Sequence, residues 1–335
     1  MVNKGLTVFN LNVPCSCACK YCLLRSCKTA NGVDYEYGKD VAIAFDNWRK
    51  SKALNDFVLS YTIGHCADYY QLSDNISLNK KFNFPGWPFL QINGIGIKND
   101  KEIDEYFMVI REAGIKFIDT TFFGLSEFHD NFASRKGDFA YLLKIIEYAN
   151  KYDIKVQPTM PIFENNKDQI EEVINILNKY ITNLELSIFL HDYWGNGENF
   201  ENVRLTKSSY EKLSDKIRRS INISRYKTEQ EWLEINEWTM YNKRSFILSL
   251  NPDTVKIIEK MTCDEIINYL AKIDENYHSV VPNIYELSKL CGDCSCEKLY
   301  RERDLRWKWQ KEYIKKHKIE TLDITDERYS GSLRY

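Results

Sequence analysis

The chain has 335 residues, of which 44% are apolar and 28% charged, with a formal net charge of −2. That length and apolar content suit one large α/β domain with a smaller appendage, and the near-neutral balance gives no global sign of a nucleic-acid or membrane partner. No apolar run reaches the roughly 18 residues a membrane span needs, and the opening MVNKGLTVFNLNV lacks the apolar stretch and cleavage site of a secretory signal, so a cytoplasmic protein is expected.

Taken in order, the first 225 residues alternate short apolar runs with amphipathic stretches. Leu6–Val13 reads as a strand, and Val41, Ala44, Phe45 and Trp48 follow at helical spacing. Further strands are expected at Phe57–Thr62, Phe89–Ile92, Lys116–Thr121, Ile154–Thr159 and Leu184–Phe189. Helical stripes separate them, among them Ile103, Tyr106, Phe107 and Ile110, then Phe139, Leu142, Leu143, Ile146 and Ala149, then Ile170, Val173, Ile174 and Leu177. Another helix fits near Tyr210–Ile221. Six strand–helix alternations predict a parallel sheet flanked by helices, a partial (β/α)6 TIM-like barrel whose chemistry belongs in the loops at the carboxyl ends of its strands.

After about residue 225 the alternation stops, and residues 226–335 read as a mostly helical carboxy-terminal extension. Within it, residues 298–318 carry nine Lys or Arg against three acids, with Trp307 and Trp309 among them. That pattern describes either a solvated amphipathic helix packed on the barrel or a grip on nucleic acid.

Ten cysteines are many for a cytosolic chain, and they cluster: five lie in residues 15–27, three in residues 291–296, and Cys66 and Cys263 stand alone. Disulfide frameworks belong to small secreted domains, so clustered thiols here point to metal. Within CSCACKYC, residues 15–22, Cys15, Cys19 and Cys22 have the spacing CxxxCxxC directly after the first strand. Three thiolates on one loop can hold three irons of a cubane cluster and leave the fourth open to a small molecule, whereas closed clusters take four cysteines. A structural zinc would want a second pair of ligands, available only from the distant Cys291 region.

CxxxCxxC after the first strand, with Tyr21 before the last cysteine, resembles the radical S-adenosylmethionine (SAM) superfamily. The resemblance implies a [4Fe–4S] cluster on Cys15, Cys19 and Cys22, an open iron that chelates SAM, and one-electron cleavage to a 5′-deoxyadenosyl radical. It also implies an electron donor such as flavodoxin or ferredoxin. Cys17 and Cys27 would be bystanders, and Tyr21 would pack against adenine. Ile63-Gly64-His65 is similar in position to the family's Gly-Gly-Glu motif, with His65 where the acid stands, and Gln91-Ile92-Asn93-Gly94 resembles its Thr-Asn-Gly turn. Thr121 stands where the family often places a serine that contacts SAM, and Leu190-His191-Asp192 falls near the adenine position.

SEFHDNFASRKGDF, residues 126–139, resembles a stretch in the branch of peptide-modifying and sulfatase-maturing enzymes, with Arg135 shifted by two positions and expected on the SAM carboxylate. Members of that branch carry extensions with auxiliary clusters, so Cys291, Cys294 and Cys296 of CGDCSC, joined by Cys263, form a candidate auxiliary site for an iron–sulfur cluster or zinc. The resemblance covers roughly residues 6–225. It implies modification of a peptide or protein side chain; a small metabolite, sugar or nucleotide substrate is the alternative, and a structural or nucleic-acid-binding metal protein a third.

Overall fold

The computed structural model describes residues 2–13, 15–22, 32–64, 66–68, 71–82, 89–190, 197–238, 243–321 and 323–325. The expected His65, Cys27, His191 and Asp192 positions lie outside them. The first half runs β1 (Val2–Val13), α1 (Tyr35–Ser51), β2 (Val58–Gly64), α2 (Leu72–Lys81), β3 (Phe89–Gln91), α3 (Asp100–Glu112), β4 (Phe117–Thr121), α4 (Ser126–Ala133), α5 (Asp138–Lys151), β5 (Lys155–Ile162), α6 (Ile170–Leu177) and β6 (Ser187–Leu190). The chain continues through α7 (Lys207–Glu211), α8 (Asp215–Arg219), β7 (Lys227–Thr228), α9 (Glu229–Ile235), β8 (Lys243–Leu250), α10 (Pro252–Ile258), α11 (Cys263–Val280), α12 (Ile284–Cys291), β9 (Leu299–Tyr300) and α13 (Glu302–His317).

Seven strands are parallel. Their order is β2-β1-β8 in one sheet and β3-β4-β5-β6 in the other. No ladder joins β2 to β3 among the described residues; instead Asp68, after β2, accepts from the Gly96 backbone N–H at 2.7 Å and pairs with Lys98 at 2.8 Å beyond β3. The result is an α/β half-barrel with the expected six strands in place. Local signals account for the flanking helices: Asn99 with Glu102, and Thr262 with Glu265, form reciprocal capping boxes at the starts of α3 and α11.

One strand of the parallel sheets was not foreseen. β8, in the segment read as mostly helical, pairs in parallel with β1 from Leu6↔Phe246 to Asn10↔Leu250. Its FILSL sequence is a short apolar run without helical company, and such a run cannot be told from part of a buried helix by periodicity alone. The rest of the extension is helical. Its two short strands, β7 and β9, pair antiparallel.

Alternation along the strands separates two faces. Leu90, Ile118, Val156, Met160, Ile188 and Leu190 pack against α3, α5 and α6 in the main core. Leu6, Val8, Leu59, Tyr61, Phe246 and Leu248 do the same toward α1 and α11. The intervening residues line the inner face, where Thr7 Oγ1 meets Ser60 Oγ at 3.1 Å and Thr121 Oγ1 meets Thr159 Oγ1 at 3.0 Å. The inner face is therefore hydroxyl-rich rather than a packed barrel interior. Among the described residues no helix is long and apolar enough to cross a membrane.

Trp307 and Trp309 are both buried, Trp309 in the core of the extension, and Trp309 Nε1 donates to the buried Glu229 at 2.7 Å. The two tryptophans of the basic segment thus serve packing and are not presented to a nucleic acid.

Gly5 marks the closest approach of β1 to β2: a Cβ there would lie 2.3 Å from the Val58 carbonyl oxygen. Gly5→Ala should lower the unfolding free energy by about 1–3 kcal/mol through overpacking, read as a drop in urea midpoint with an unchanged slope.

Candidate functional site

The cysteine loop leaves the carboxyl end of β1 and is held on two sides. Ser16 donates through its backbone N–H to the Gly94 carbonyl at 2.9 Å, and its hydroxyl reaches Gly94 O at 2.7 Å and Ile95 O at 2.8 Å. The Ala18 and Lys20 N–H groups donate to Ala133 O and Phe132 O at 2.9 and 3.1 Å. These acceptors are carbonyls of the last turn of α4, which have no partner within their own helix, so the loop caps the helix that supports it. Farther on, the Val33 N–H donates to Asn10 Oδ1 at 2.9 Å and the Gly32 N–H to Leu11 O at 3.0 Å, which closes the excursion back onto β1.

The stretch 126–139 supplies the anchor. The obligate donor Phe123 N–H points at His129 Nδ1 at 3.1 Å, so the ring proton resides on Nε2, which donates to Asp138 Oδ2 at 3.1 Å. Arg135 donates to Asp138 through Nε at 3.0 Å and through Nη2, while its Nη1 reaches Ser16 Oγ at 2.9 Å and the Ile95 carbonyl. Asp138 also receives the Cys17 thiol at 3.7 Å. Burial opposes ionisation of Asp138, but the His129 hydrogen bond and the Arg135 charge outweigh it and hold its carboxyl below the usual range. Asp130 accepts from the Phe139 N–H at 2.9 Å and from Gly137 N–H, fixing the start of α5.

Several expected positions meet here, in altered roles. Cys15, Cys19 and Cys22 are half-buried on the loop, whereas Cys17 is buried toward Asp138 and is thereby spoken for. Tyr21 packs edge-on against Phe123 at 5.7 Å and tilted against Phe132 at 5.6 Å, the start of an aromatic wall that continues to Phe163 and Phe200. Asn93 spends both ends of its amide on Thr121, accepting from its N–H at 2.6 Å and donating to its carbonyl at 2.8 Å. Gly64 sits at φ +67°, a left-handed conformation that favours glycine. Arg135 uses four of its five N–H groups within the protein, so it acts as a strut between loops and has no free fork for a carboxylate. Leu190 points into the helix-side core, leaving only its backbone toward the rim.

Contact with Cys17 and burial push the Cys15 thiol well up from its ordinary value, although the Arg135 charge pulls the other way. At Cys17 a lowering contact with Cys15 is overcome by Cys19, burial and the charge of Asp138. Among the described residues no three His, Cys, Asp or Glu side chains are gathered to hold a metal ion. In chemistry the set fits an iron–sulfur cluster: three thiols, no carboxylate among them, on a loop whose Ser16, Ala18, Lys20 and Cys22 amides already have partners. A cavity of about 420 Å³ opens beside the loop, lined by Lys20, Phe128, Asn131, Phe132, Asn165 and Phe200, a size within the range of small-ligand sites.

The second cysteine group is not brought together. Cys263 starts α11 and packs with the core beside α1, while Cys291 and Cys296 pack with Trp309 and Tyr300 in the extension. Fourteen residues of α11 separate Cys263 from Tyr277 of that second core, about 21 Å of helix. Cys294 is exposed. The CGDCSC turn is instead tied to Glu229, which accepts the Asp293 N–H at 3.1 Å.

Sequence reasoning missed Asp119. It lies on β4 on the inner face, in register with Gln91 of β3 and Gln157 of β5. Burial raises its carboxyl to about 6 against a small opposing hydrogen bond from Thr159 at 3.4 Å. The signal was present as a lone acid in FIDTT at the phase opposite to Ile118.

No family model and no curated protein matches the chain. Among solved structures it is similar to Streptococcus suis SuiB bound to the precursor peptide SuiA, with TM-score 0.46, 11% identity, and 78% of this chain and 62% of that one covered. It is similar to native anSMEcpe with bound AdoMet and a Cp18Cys peptide, with TM-score 0.48, 13% identity, and 93% and 97% covered. The third is Escherichia coli coproporphyrinogen III oxidase (HemN), described as a radical SAM enzyme, with TM-score 0.41, 10% identity, and 74% and 64% covered. The chain thus spans less than two thirds of the SuiB chain's length. All three scores fall below 0.5, and the function proposed below rests on the cysteine loop and its setting.

Arg135→Ala should destabilise the protein by about 3 kcal/mol, because it strips the buried Asp138 of its cation, and should speed alkylation of Cys15 and Cys19 by iodoacetamide as the loop comes free. Asp119→Asn should act oppositely on stability. A carboxyl raised to about 6 favours the fold when protonated and loses that contribution as pH rises through 6. The variant should therefore melt higher than wild type at about pH 8, with the gap closing toward about pH 4.

Proposed function

We propose that this chain is a radical SAM enzyme in which Cys15, Cys19 and Cys22 hold a [4Fe–4S] cluster and the substrate is a peptide or protein side chain. The observation that carries the reading is the place of the CxxxCxxC loop: directly after the first strand of a parallel half-barrel, at the carboxyl ends of the strands, with its even-numbered residues pinned by backbone hydrogen bonds to Gly94, Ala133 and Phe132. When bound, such a cluster supplies one electron to SAM, whose C–S bond then breaks to give methionine and a 5′-deoxyadenosyl radical.

The chain's own residues give the site its shape. Ser16, Ala18 and Lys20 fix the loop backbone, and the half-buried thiols of Cys15, Cys19 and Cys22 would be drawn together as thiolates to hold the cluster. Tyr21, Phe123 and Phe132 make an apolar wall that keeps water from a reactive carbon radical. Asn93 and Thr121 hold the ends of β3 and β4 together, which fixes the Gly94 turn whose carbonyl receives the Ser16 N–H of the cysteine loop. Arg135 is a positioning residue that acts through Ser16 and Asp138. Support for a peptide substrate comes from the likeness of residues 126–139 to the peptide-modifying branch and from the helical extension. The electron would come from a flavodoxin- or ferredoxin-type donor.

The test is anaerobic reconstitution with iron and sulfide, addition of SAM and dithionite, and measurement of 5′-deoxyadenosine. Wild type should produce it. Cys19→Ala, lacking one of three ligands, should fall by more than about 100-fold while keeping its far-UV spectrum. Wild-type protein that binds zinc and yields no 5′-deoxyadenosine would overturn the proposal.

A further inference from the structure

The inner face of the half-barrel carries one acid that the cysteine loop does not use. Across β3, β4 and β5 the register sets Gln91, Asp119 and Gln157 side by side in one rung. The rung toward the carboxyl ends holds Thr121 and Thr159, and the rung on the other side holds Phe89, Phe117 and Lys155; the two rings stack at 5.4 Å with 9° between planes, and Lys155 is turned to Glu185 at 3.9 Å. All of these alternate with Leu90, Ile118 and Val156, which face the helices, so they share the concave side of the sheet.

Asp119 is half-buried there and has one weak partner, the Thr159 hydroxyl at 3.4 Å. No ion pair is made to it among the described residues, and no charged group acts on its titration; burial alone raises it. Compare Asp138, fully buried, which has an arginine and a histidine. An acid without a countercharge on a concave face costs stability and is the kind of group that a ligand completes.

We propose that the Gln91–Asp119–Gln157 rung is a subsite for a cationic group of the substrate, an ammonium or guanidinium, on the inner face of the barrel. The chemistry of the rung selects a cation over a neutral donor. A carboxylate only accepts hydrogen bonds, and its gain from a charged donor in a partly dry site is about twice that from a neutral one. Glutamine carbonyls on either side can accept the remaining N–H groups. The stacked Phe pair one rung away offers ring faces to the alkyl stem and to the charge. This inference rests on the radical SAM reading only in taking the bound molecule to be its substrate; a peptide would enter with a lysine or arginine side chain.

The test uses full-length protein and defined probes, with no SAM and no reductant. Acetyl-Gly-Lys-Gly-amide and its neutral norleucine counterpart are titrated against wild type, Asp119→Asn and Asp119→Glu by ligand-observed NMR, with an arginine and citrulline pair in parallel. Wild type should prefer at least one cationic peptide by about tenfold, which is about 1.4 kcal/mol. Asp119→Asn should reduce that preference to within about twofold, and Asp119→Glu should retain part of it. Equal binding of charged and neutral peptides to wild type, no binding of any peptide up to about 10 mM, or a preference that survives in a folded Asp119→Asn protein would each overturn the subsite. Because 5′-deoxyadenosine is not involved, failure of the subsite and failure of the radical reading are seen in separate measurements.

Discussion

A single buried carboxylate sets the geometry of the site. Asp138, at the first position of α5, receives His129, Arg135 and Cys17, and through Arg135 it reaches Ser16 and Ile95. Four separate pieces of chain therefore meet on one anion: the cysteine loop, the turn after β3, the end of α4 and the start of α5. A buried charge with its partners in place tolerates few alternative arrangements, because any displacement leaves a desolvated ion uncompensated. The His129 tautomer follows from the same constraint, since the Phe123 N–H can only donate. The cysteine loop is held less by its own composition than by a network whose centre lies more than 100 residues further along the chain.

The two faces of the half-barrel divide the remaining work. The outer face is apolar and packs the helices, which gives the sheet its rigidity. The inner face carries hydroxyls, amides and Asp119, at a cost that an all-apolar barrel would avoid. Residues 299 and 300 join the half-barrel through apolar and polar contacts together: Leu299 packs in the main core, its N–H donates to Leu205 O at 3.0 Å, Tyr300 donates to Glu201 at 2.6 Å, and Arg204 lies 4.3 Å over the Tyr300 ring. Polar contacts of this kind fix orientation more than they drive association.

Much of this could be read from residues alone, and the exceptions have physical causes. The six strands stood out because each is a compact apolar run followed by a helical stripe. The cysteine loop stood out because soft ligands at CxxxCxxC spacing have few other uses. β8 escaped because an isolated apolar run carries no period, and its partner, β1, is more than 230 residues away. Arg135 was assigned to a ligand because sequence shows a guanidinium but not its three acceptors, Asp138 Oδ1, Ser16 Oγ and the Ile95 carbonyl. The union of Cys263 with the CGDCSC turn failed on length, since a straight 18-residue helix stands between the two regions. Asp119 was overlooked because its meaning depends on neighbours one strand to either side, and those exist only once the register is formed.

The pairing of β8 with β1 has a consequence for how the protein is made. Synthesis runs from the amino end at roughly 5–20 residues per second, so β1 waits tens of seconds for Lys243–Leu250 to arrive. Until then the strand that carries the thiols has a neighbour on one side only, and its other edge presents unpaired backbone groups. The sheet beneath the cysteine loop is therefore complete only when this late strand docks, and its final rigidity comes after most of the chain has been made.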